Sequence, residues 1–331
     1  MSLTIGVIGA GAFGTALAQL LASDGSAVTL WAREPQLVDA INRDARNHLF
    51  LPSASLAPSI RATNDLAEAA ARDVLLLVTP AQHLRSVLGE MPVLDGRDLV
   101  LCSKGIEAGT RRLMSDVAAE AAPGAELAVL SGPTFAHEMA AGLPTAVTLA
   151  CGGGEPQWRR LSATLARQSC RLYYSDDVVG AEIGGAVKNV LAIACGVVDG
   201  LGLGENARAA LIARGYAEMR RFGLMMGAQP TSLSGLAGLG DLVLTCSSTS
   251  SRNFSLGKAL GEGASPGEVL AARNSVAEGA HTAPVLAAMA RDKGVEMPIV
   301  EAVATLLAGS SPAHEAVANL LARPLRAEQG D

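Results

Sequence analysis

Aromatic side chains are scarce in this chain: five Phe, three Tyr and two Trp, 3% of 331 residues. A core built without them is aliphatic and alanine-rich, which favours close helix packing. Charge is sparse as well, at 18% against 49% hydrophobic residues, the balance of a compact globular protein with ample core material. The formal net charge of −6 argues against nucleic-acid binding by a broad basic surface, while local lysines and arginines can still hold small anions. The five cysteines (Cys102, Cys151, Cys170, Cys195, Cys246) are odd in number and form no CxxC pair. That spacing suggests neither a disulfide framework nor a zinc site, and points to buried thiols in a reducing, cytoplasmic setting. The histidines (His48, His83, His137, His281, His314) show no metal-ligand spacing, so no metal is expected. The N-terminus, Met1-Ser2-Leu3-Thr4-Ile5, lacks the basic start and long apolar run of a signal peptide.

The length exceeds what one core usually holds, so two domains are expected. The first begins with an apolar, β-favouring run, Leu3–Ile8, then Gly9-Ala10-Gly11-Ala12-Phe13-Gly14, then a helical run over Thr15–Ala22. Strand, G-x-G-x-x-G and helix in this order read as a dinucleotide-binding turn. Gly9 makes the turn, Gly11 lets a pyrophosphate approach the backbone, and Gly14 lets the helix pack on the strand. A second strand, Ala27–Trp31, is followed by Ala32-Arg33 where NAD-specific folds often carry an acid. Arg33 there suits the 2′-phosphate of NADP, although Glu34 follows directly and weakens that preference. Further strands are expected at 73–78, 99–102, 127–130, 145–150 and 171–174, with a helix over 82–89. Their C-terminal ends open into polar or glycine residues, where open parallel sheets bind ligands. Lys104 is therefore placed at the cleft, with a loop lysine in solvent as the alternative. Residues 42–58 read as a long loop over the cofactor cleft, with His48 as a loop residue.

From Ser175 the strand pattern stops and helices are expected, at 181–196, 205–226, 255–262, after Gly279 and at 298–307. The run Ala181–Gly196 is apolar on every face and so must be buried all round. Lys188 and Asn189 interrupt it. A buried ammonium is costly unless paired, neutralised or open to a substrate pocket. A lysine snorkelling from a helix end fits poorly with apolar residues on both sides. The glycines of this run make it a poor membrane span. Gly238–Cys246 sets Asp241 and Thr245 four residues apart in a helix-like stretch, and Ser251-Arg252-Asn253 precede a helix start. That trio reads as a phosphate cradle, or as an N-cap with an exposed arginine, which composition does not exclude. The tail, Arg326–Asp331, is polar and expected to fray.

Taken in order, the GAGAFGTAL loop, Ser103-Lys104-Gly105, Gly132-Pro133-Thr134-Phe135-Ala136, Gly185-Ala186-Val187-Lys188-Asn189, GDLVLTC and Ser251-Arg252-Asn253 resemble the bacterial NAD(P)-dependent sn-glycerol-3-phosphate dehydrogenase family. The resemblance runs along essentially the whole chain. It implies an α/β N-terminal domain of Rossmann type, a doubly wound sheet over 1–175, and an all-α C-terminal domain over 176–331. It further implies cytoplasmic reduction of dihydroxyacetone phosphate to sn-glycerol 3-phosphate for phospholipid synthesis, with NADP favoured over NAD, no membrane span, and a homodimer as one assembly it allows. By motif, Lys188 is the proton donor and acceptor, supported by Lys104, Asp241 and Thr245. Gly132, Thr134, Ser251, Arg252 and Asn253 fall at substrate contacts. Gly9, Gly11, Ala12, Phe13, Gly14, Arg33, Ala136, Val276 and Glu278 fall at cofactor contacts, and Lys104 and Arg252 can touch both ligands. Ala12 departs from the serine of many relatives, a small loss because backbone N–H groups supply most pyrophosphate binding. Ketopantoate reductases and β-hydroxyacid dehydrogenases share the Gly loop and a helical lysine, but the Ser251-Arg252-Asn253 trio and GDLVLTC weigh against them. A catalytically dead NADP sensor is opposed by the intact Lys104, Lys188 and Asp241.

Overall fold

The computed structural model describes residues 3–272 and 276–324; Met1, Ser2 and the tail expected to fray lie outside them. Eight strands form one sheet: β1 (Ile5–Ile8), β2 (Val28–Trp31), β3 (Ile60–Thr63), β4 (Val74–Leu77), β5 (Asp98–Leu101), β6 (Glu126–Ser131), β7 (Thr145–Cys151) and β8 (Cys170–Ser175). Their spatial order is β3-β2-β1-β4-β5-β6-β7-β8. The chain runs one way from β1 to β3 and then the other from β4, so the order reverses beside β1, where doubly wound sheets bind ligands. β1, β4 and β5 are buried along their whole length, as strands covered by helices on both faces must be.

Three features depart from the sequence expectations. β3 carries an exposed Arg61 in a four-residue run, too short and polar to read, and is recruited by parallel pairing with β2. β7 runs antiparallel to β6, while β8 pairs parallel with β7. The stretch expected as loop from Asn42 is helical through Asp44. It ends helix α2 (Pro35–Asp44), whose Leu37, Val38 and Ile41 recur at helical spacing and are buried.

Helix α1 (Ala12–Leu21) follows the Gly loop, and α3 (Met114–Ala121) follows the loop after β5. Beyond β8 every regular element among the described residues is a helix. The helix expected around Lys188 is α4 (Val178–Gly200), with every residue from Gly180 to Val198 buried. Asp177 caps it by accepting from Gly180 N at 2.8 Å. By length and composition α4 could cross a membrane, but here protein buries it. It is flanked by α5 (Gly204–Met225), α6 (Asp241–Cys246), α7 (Arg252–Gly261), α8 (Glu278–Asp292) and α9 (Pro298–Leu307), and its first turns also meet β6. A five-residue π-helical turn, Leu236–Gly240, leads into α6 where a continuous helix was expected.

The alanine and glycine content is used where α4 crosses α7. A Cβ on Gly257 would stand 1.9 Å from Ile193 O, and one on Gly196 would stand 2.0 Å from Phe254 O. The two backbones touch, and only hydrogen fits between them. Gly257→Ala should therefore destabilise the protein by about 1–3 kcal/mol or more in chemical denaturation. Gly267→Ala, where nothing lies within 4 Å of the added carbon, should be neutral or stabilising.

Candidate active site

The lysine expected in the middle of a buried helix is 6% exposed and lies against α6. Lys188 Nζ donates to Asp241 Oδ1 and, at 3.1 Å, to Thr245 Oγ1. Thr245 Oγ1 in turn lies 3.3 Å from Asp241 Oδ1, as the i, i+4 spacing on α6 allows. The second oxygen of Asp241 accepts from Lys104 Nζ at 2.7 Å. Lys104 stands just past β5, so a carboxylate with no exposed surface joins an ammonium on the sheet to one on the helical half. Burial pushes the Lys188 ammonium down to about 7; Asp241 opposes that shift and Lys104 adds to it. The small residues beside Lys188 serve packing here. A Cβ on Gly184 would meet Ala237 O of the π-helical turn at 2.2 Å, and one on Gly185 would lie 3.2 Å from Ser131 Oγ.

Ser251, Arg252 and Asn253 form the start of α7. The N-cap reading of the trio is seen, with Ser251 Oγ accepting from Phe254 N at 3.2 Å and Arg252 exposed at the helix N-terminus. The Asn253 side chain is largely committed. Its Nδ2 donates to Asn189 Oδ1 at 2.9 Å and its Oδ1 accepts from Gly279 N at 3.0 Å. Asn189 stood out in the sequence only as the polar neighbour of Lys188 and was given no site role, yet its amide ties the helix of Lys188 to α7. Gly132 and Thr134 lie on the loop after β6, where Gly132 has φ +151°. Thr134 Oγ1 donates to Gly132 O at 3.3 Å. Pro133 on that loop faces Gly240, the residue before Asp241.

At the other end of the cleft, Gly9 takes φ +118°, and a Cβ on Gly14 would stand 1.8 Å from Gly9 O. Beside Gly11, by contrast, a Cβ would meet nothing within 4 Å, and α1 begins there without a side-chain cap. An open approach to uncapped N–H groups fits the pyrophosphate of a dinucleotide. Ala12 and Phe13 are half-buried in the first turn of α1, which starts earlier than the expected Thr15. Ala136, also half-buried, begins a short helix packed on α1. Arg33 is exposed just past β2, and Val276 is exposed two residues before Glu278; neither bonds to the lysine cluster. Glu278 Oε1 accepts from Ala81 N of the loop after β4 at 3.3 Å, while its Oε2 is buried without a hydrogen-bond partner. Burial pushes this carboxyl up to about 7, opposed by the Ala81 bond and the charge of Arg252. His48 is a loop residue, 3.4 Å from Asp44. A cavity of about 610 Å³ lies elsewhere, lined by Val197, Leu211 and Val303 among others, and includes none of these residues.

The arrangement can hold an anionic dinucleotide at the sheet edge and present a paired lysine to a small polar molecule in the cleft. Comparisons with known proteins cover both halves of the chain. Residues 4–155 match the model of the NAD-dependent glycerol-3-phosphate dehydrogenase N-terminus, and residues 177–318 match that of its C-terminus. A protein of Novosphingobium aromaticivorans named glycerol-3-phosphate dehydrogenase (NAD(P)+) is 72% identical over 328 residues, 99% of each chain. The crystal structure of glycerol-3-phosphate dehydrogenase from Coxiella burnetii is similar with TM-score 0.92 and 38% identity, covering 97% of this chain and 99% of that one. A putative ketopantoate reductase from Ralstonia solanacearum, at TM-score 0.58 and 19% identity over 96% of this chain and 99% of that one, shares the fold alone.

One buried polar residue near the Gly loop was overlooked in the sequence. Asn47, with no exposed surface, donates to Ala10 O at 2.8 Å and to Thr15 Oγ1 at 2.7 Å, pinning the 45–51 loop to the glycine turn. Asn47→Ala would remove both bonds and leave Ala10 O with only the Thr15 hydroxyl at 3.2 Å, at a cost of about 1–3 kcal/mol. Thermal denaturation should show that loss, and fluorescence titration should show weaker dinucleotide binding.

Proposed function

We propose, from the premise that the chain belongs to the NAD-dependent glycerol-3-phosphate dehydrogenase family, that it interconverts dihydroxyacetone phosphate and sn-glycerol 3-phosphate with a nicotinamide dinucleotide. The observation that carries this reading is Asp241 joined to both Lys188 and Lys104 across the cleft. We divide the chain at 175/176, between the end of β8 and the Asp177 cap, with the dinucleotide on the first part. Phospholipid synthesis in the cytoplasm is the setting that goes with this reading, and five buried free cysteines suit it.

The bound dinucleotide supplies the hydride that reduces the ketone carbon. Lys188 donates the proton that the ketone oxygen then needs, and takes it back in the reverse direction. Asp241 and Thr245 hold the Lys188 ammonium in place, and Lys104 adds a second positive charge where negative charge develops. Arg252, Ser251 and the first N–H groups of α7 grip the substrate phosphate, with Gly132, Thr134 and Asn253 shaping the remaining contacts. Gly9, Gly11, Ala12, Phe13 and Gly14 form the dinucleotide turn with Ala136 beside it, and Glu278 and Val276 close over it from the helical side. Arg33 faces the 2′-phosphate, so NADP is favoured over NAD.

Reduction needs protonated Lys188 and oxidation needs the neutral amine. With the ammonium lowered to about 7, reduction should slow as pH rises through that value and oxidation should speed up. Lys188→Ala should lower kcat about 10²–10⁴-fold. The variant should still fold and bind NADPH, as checked by circular dichroism and titration; near-normal turnover would remove Lys188 from the chemistry. Initial rates of NADPH oxidation with dihydroxyacetone phosphate beside ketopantoate test the substrate directly, and a preference for ketopantoate would overturn the reading. Arg33→Asp should weaken NADPH far more than NADH, because it sets a carboxylate against a phosphate; equal losses would move the 2′-phosphate elsewhere.

A further inference from the structure

One buried acid takes no part in the chemistry above. Glu182 lies on α4 six residues before Lys188, ~9 Å along the helix, and is 6% exposed. Its Oε1 accepts from Ser115 N at 2.8 Å and its Oε2 from Ser115 Oγ at 2.5 Å. Ser115 lies in the first turn of α3, a helix with no side-chain cap of its own. The cap thus arrives from the helical half of the molecule.

What precedes α3 is the loop that carries Lys104. That loop closes on itself through an Ile106–Leu113 bridge and a Glu107 N to Arg112 O bond at 3.0 Å. Ile106 and Leu113 are buried in the same apolar cluster as Ile183, Val187 and Val190 of α4. The loop is therefore held at two polar points, Lys104 on Asp241 of α6, which also pairs with Lys188 of α4, and Ser115 on Glu182 of α4, with apolar packing on α4 between them. We propose that Glu182 is a positioning residue that clamps the Lys104 loop onto α4 through Ser115, and so keeps Lys104 on Asp241. A buried carboxylate is an expensive way to fill space, and an apolar side chain would do so at less cost. Two oxygens that accept two donors from one residue set a position that packing alone leaves free to slide.

The effect on turnover rests on the proposed reaction, but the clamp itself does not. Glu182→Gln, Ser115→Ala and the double variant should be compared by hydrogen exchange of the ligand-free protein. Each single change should speed exchange in residues 103–114 and leave the Gly loop at 9–14 unchanged. The double should add little to Glu182→Gln alone. With dihydroxyacetone phosphate, kcat should fall about 10- to 100-fold. The Lys188-dependent limb of the pH profile should move upward, because a loosened Lys104 no longer lowers it. Unchanged exchange in 103–114, additive effects, or a lower Tm with the pH limb in place would overturn the clamp. Ser115→Ala decides the matter if Glu182→Gln does not fold. A wild-type protein inactive on dihydroxyacetone phosphate would overturn the reaction, while the exchange measurements still decide the clamp.

Discussion

The carboxylate of Asp241 is the constraint on which the rest of this structure depends. It has no exposed surface and it accepts from two ammonium groups that come from different halves of the chain. Removing it would leave two like charges close together with little water to screen them. With it, and with Lys188 protonated, the three groups carry a formal charge of one positive unit. The pairing requires α6 to lie against α4 and the loop after β5 to reach both. The π-helical turn before Asp241 supplies the first condition, since its carbonyl at Ala237 comes within contact of Gly184. π-helical turns are uncommon and recur at functional sites, as this one does.

Around that carboxylate the helical half is built on one axle. α4 is buried from Gly180 to Val198, and its neighbours approach it at backbone distance wherever glycines align. A chain poor in aromatics cannot fill wide gaps between helices, so it narrows them. Lys188 is held in this setting by two hydrogen bonds and one charge, and burial keeps its ammonium near the point of losing a proton. A group poised there can both give and accept a proton near neutral pH. The same desolvation acts on Glu278 at the cofactor end of the cleft. Lys188 and Arg33 stand on separate elements, which is why the proposed function gives changes at the two positions separate effects.

Much of this was legible in the residues alone, and the reasons are physical. The Gly loop is a local device, in which three glycines at fixed spacing between a strand and a helix leave little freedom. An all-apolar helix broken by Lys188 and Asn189 declares itself because a buried charge needs an explanation. Asp241 and Thr245 are brought together by their i, i+4 spacing on one helix. What stayed hidden depends on partners distant in sequence. β3 exists only because β2 offers it a ladder, the reversal of β7 leaves no mark on its side chains, and Asn47 looks like any loop residue until Ala10 and Thr15 are placed beside it. The Ser251 trio could be read as cap or cradle, and only its position shows Ser251 capping while Arg252 stays exposed.

The sequence by itself determined where most strands and helices alternate, where the glycine turn between strand and helix stands, and which lysine interrupts an apolar helix. These follow from periodicity, glycine stereochemistry and the cost of burying charge, all of which act within a few residues. Only the tertiary structure decided that Lys104 and Lys188 share one carboxylate, that Asn189 and Asn253 tie two helices together, and that Glu182 reaches Ser115. Those are contacts between residues as much as 137 positions apart. Their geometry is set by how a sheet and a bundle of close-packed helices meet, which no local pattern encodes.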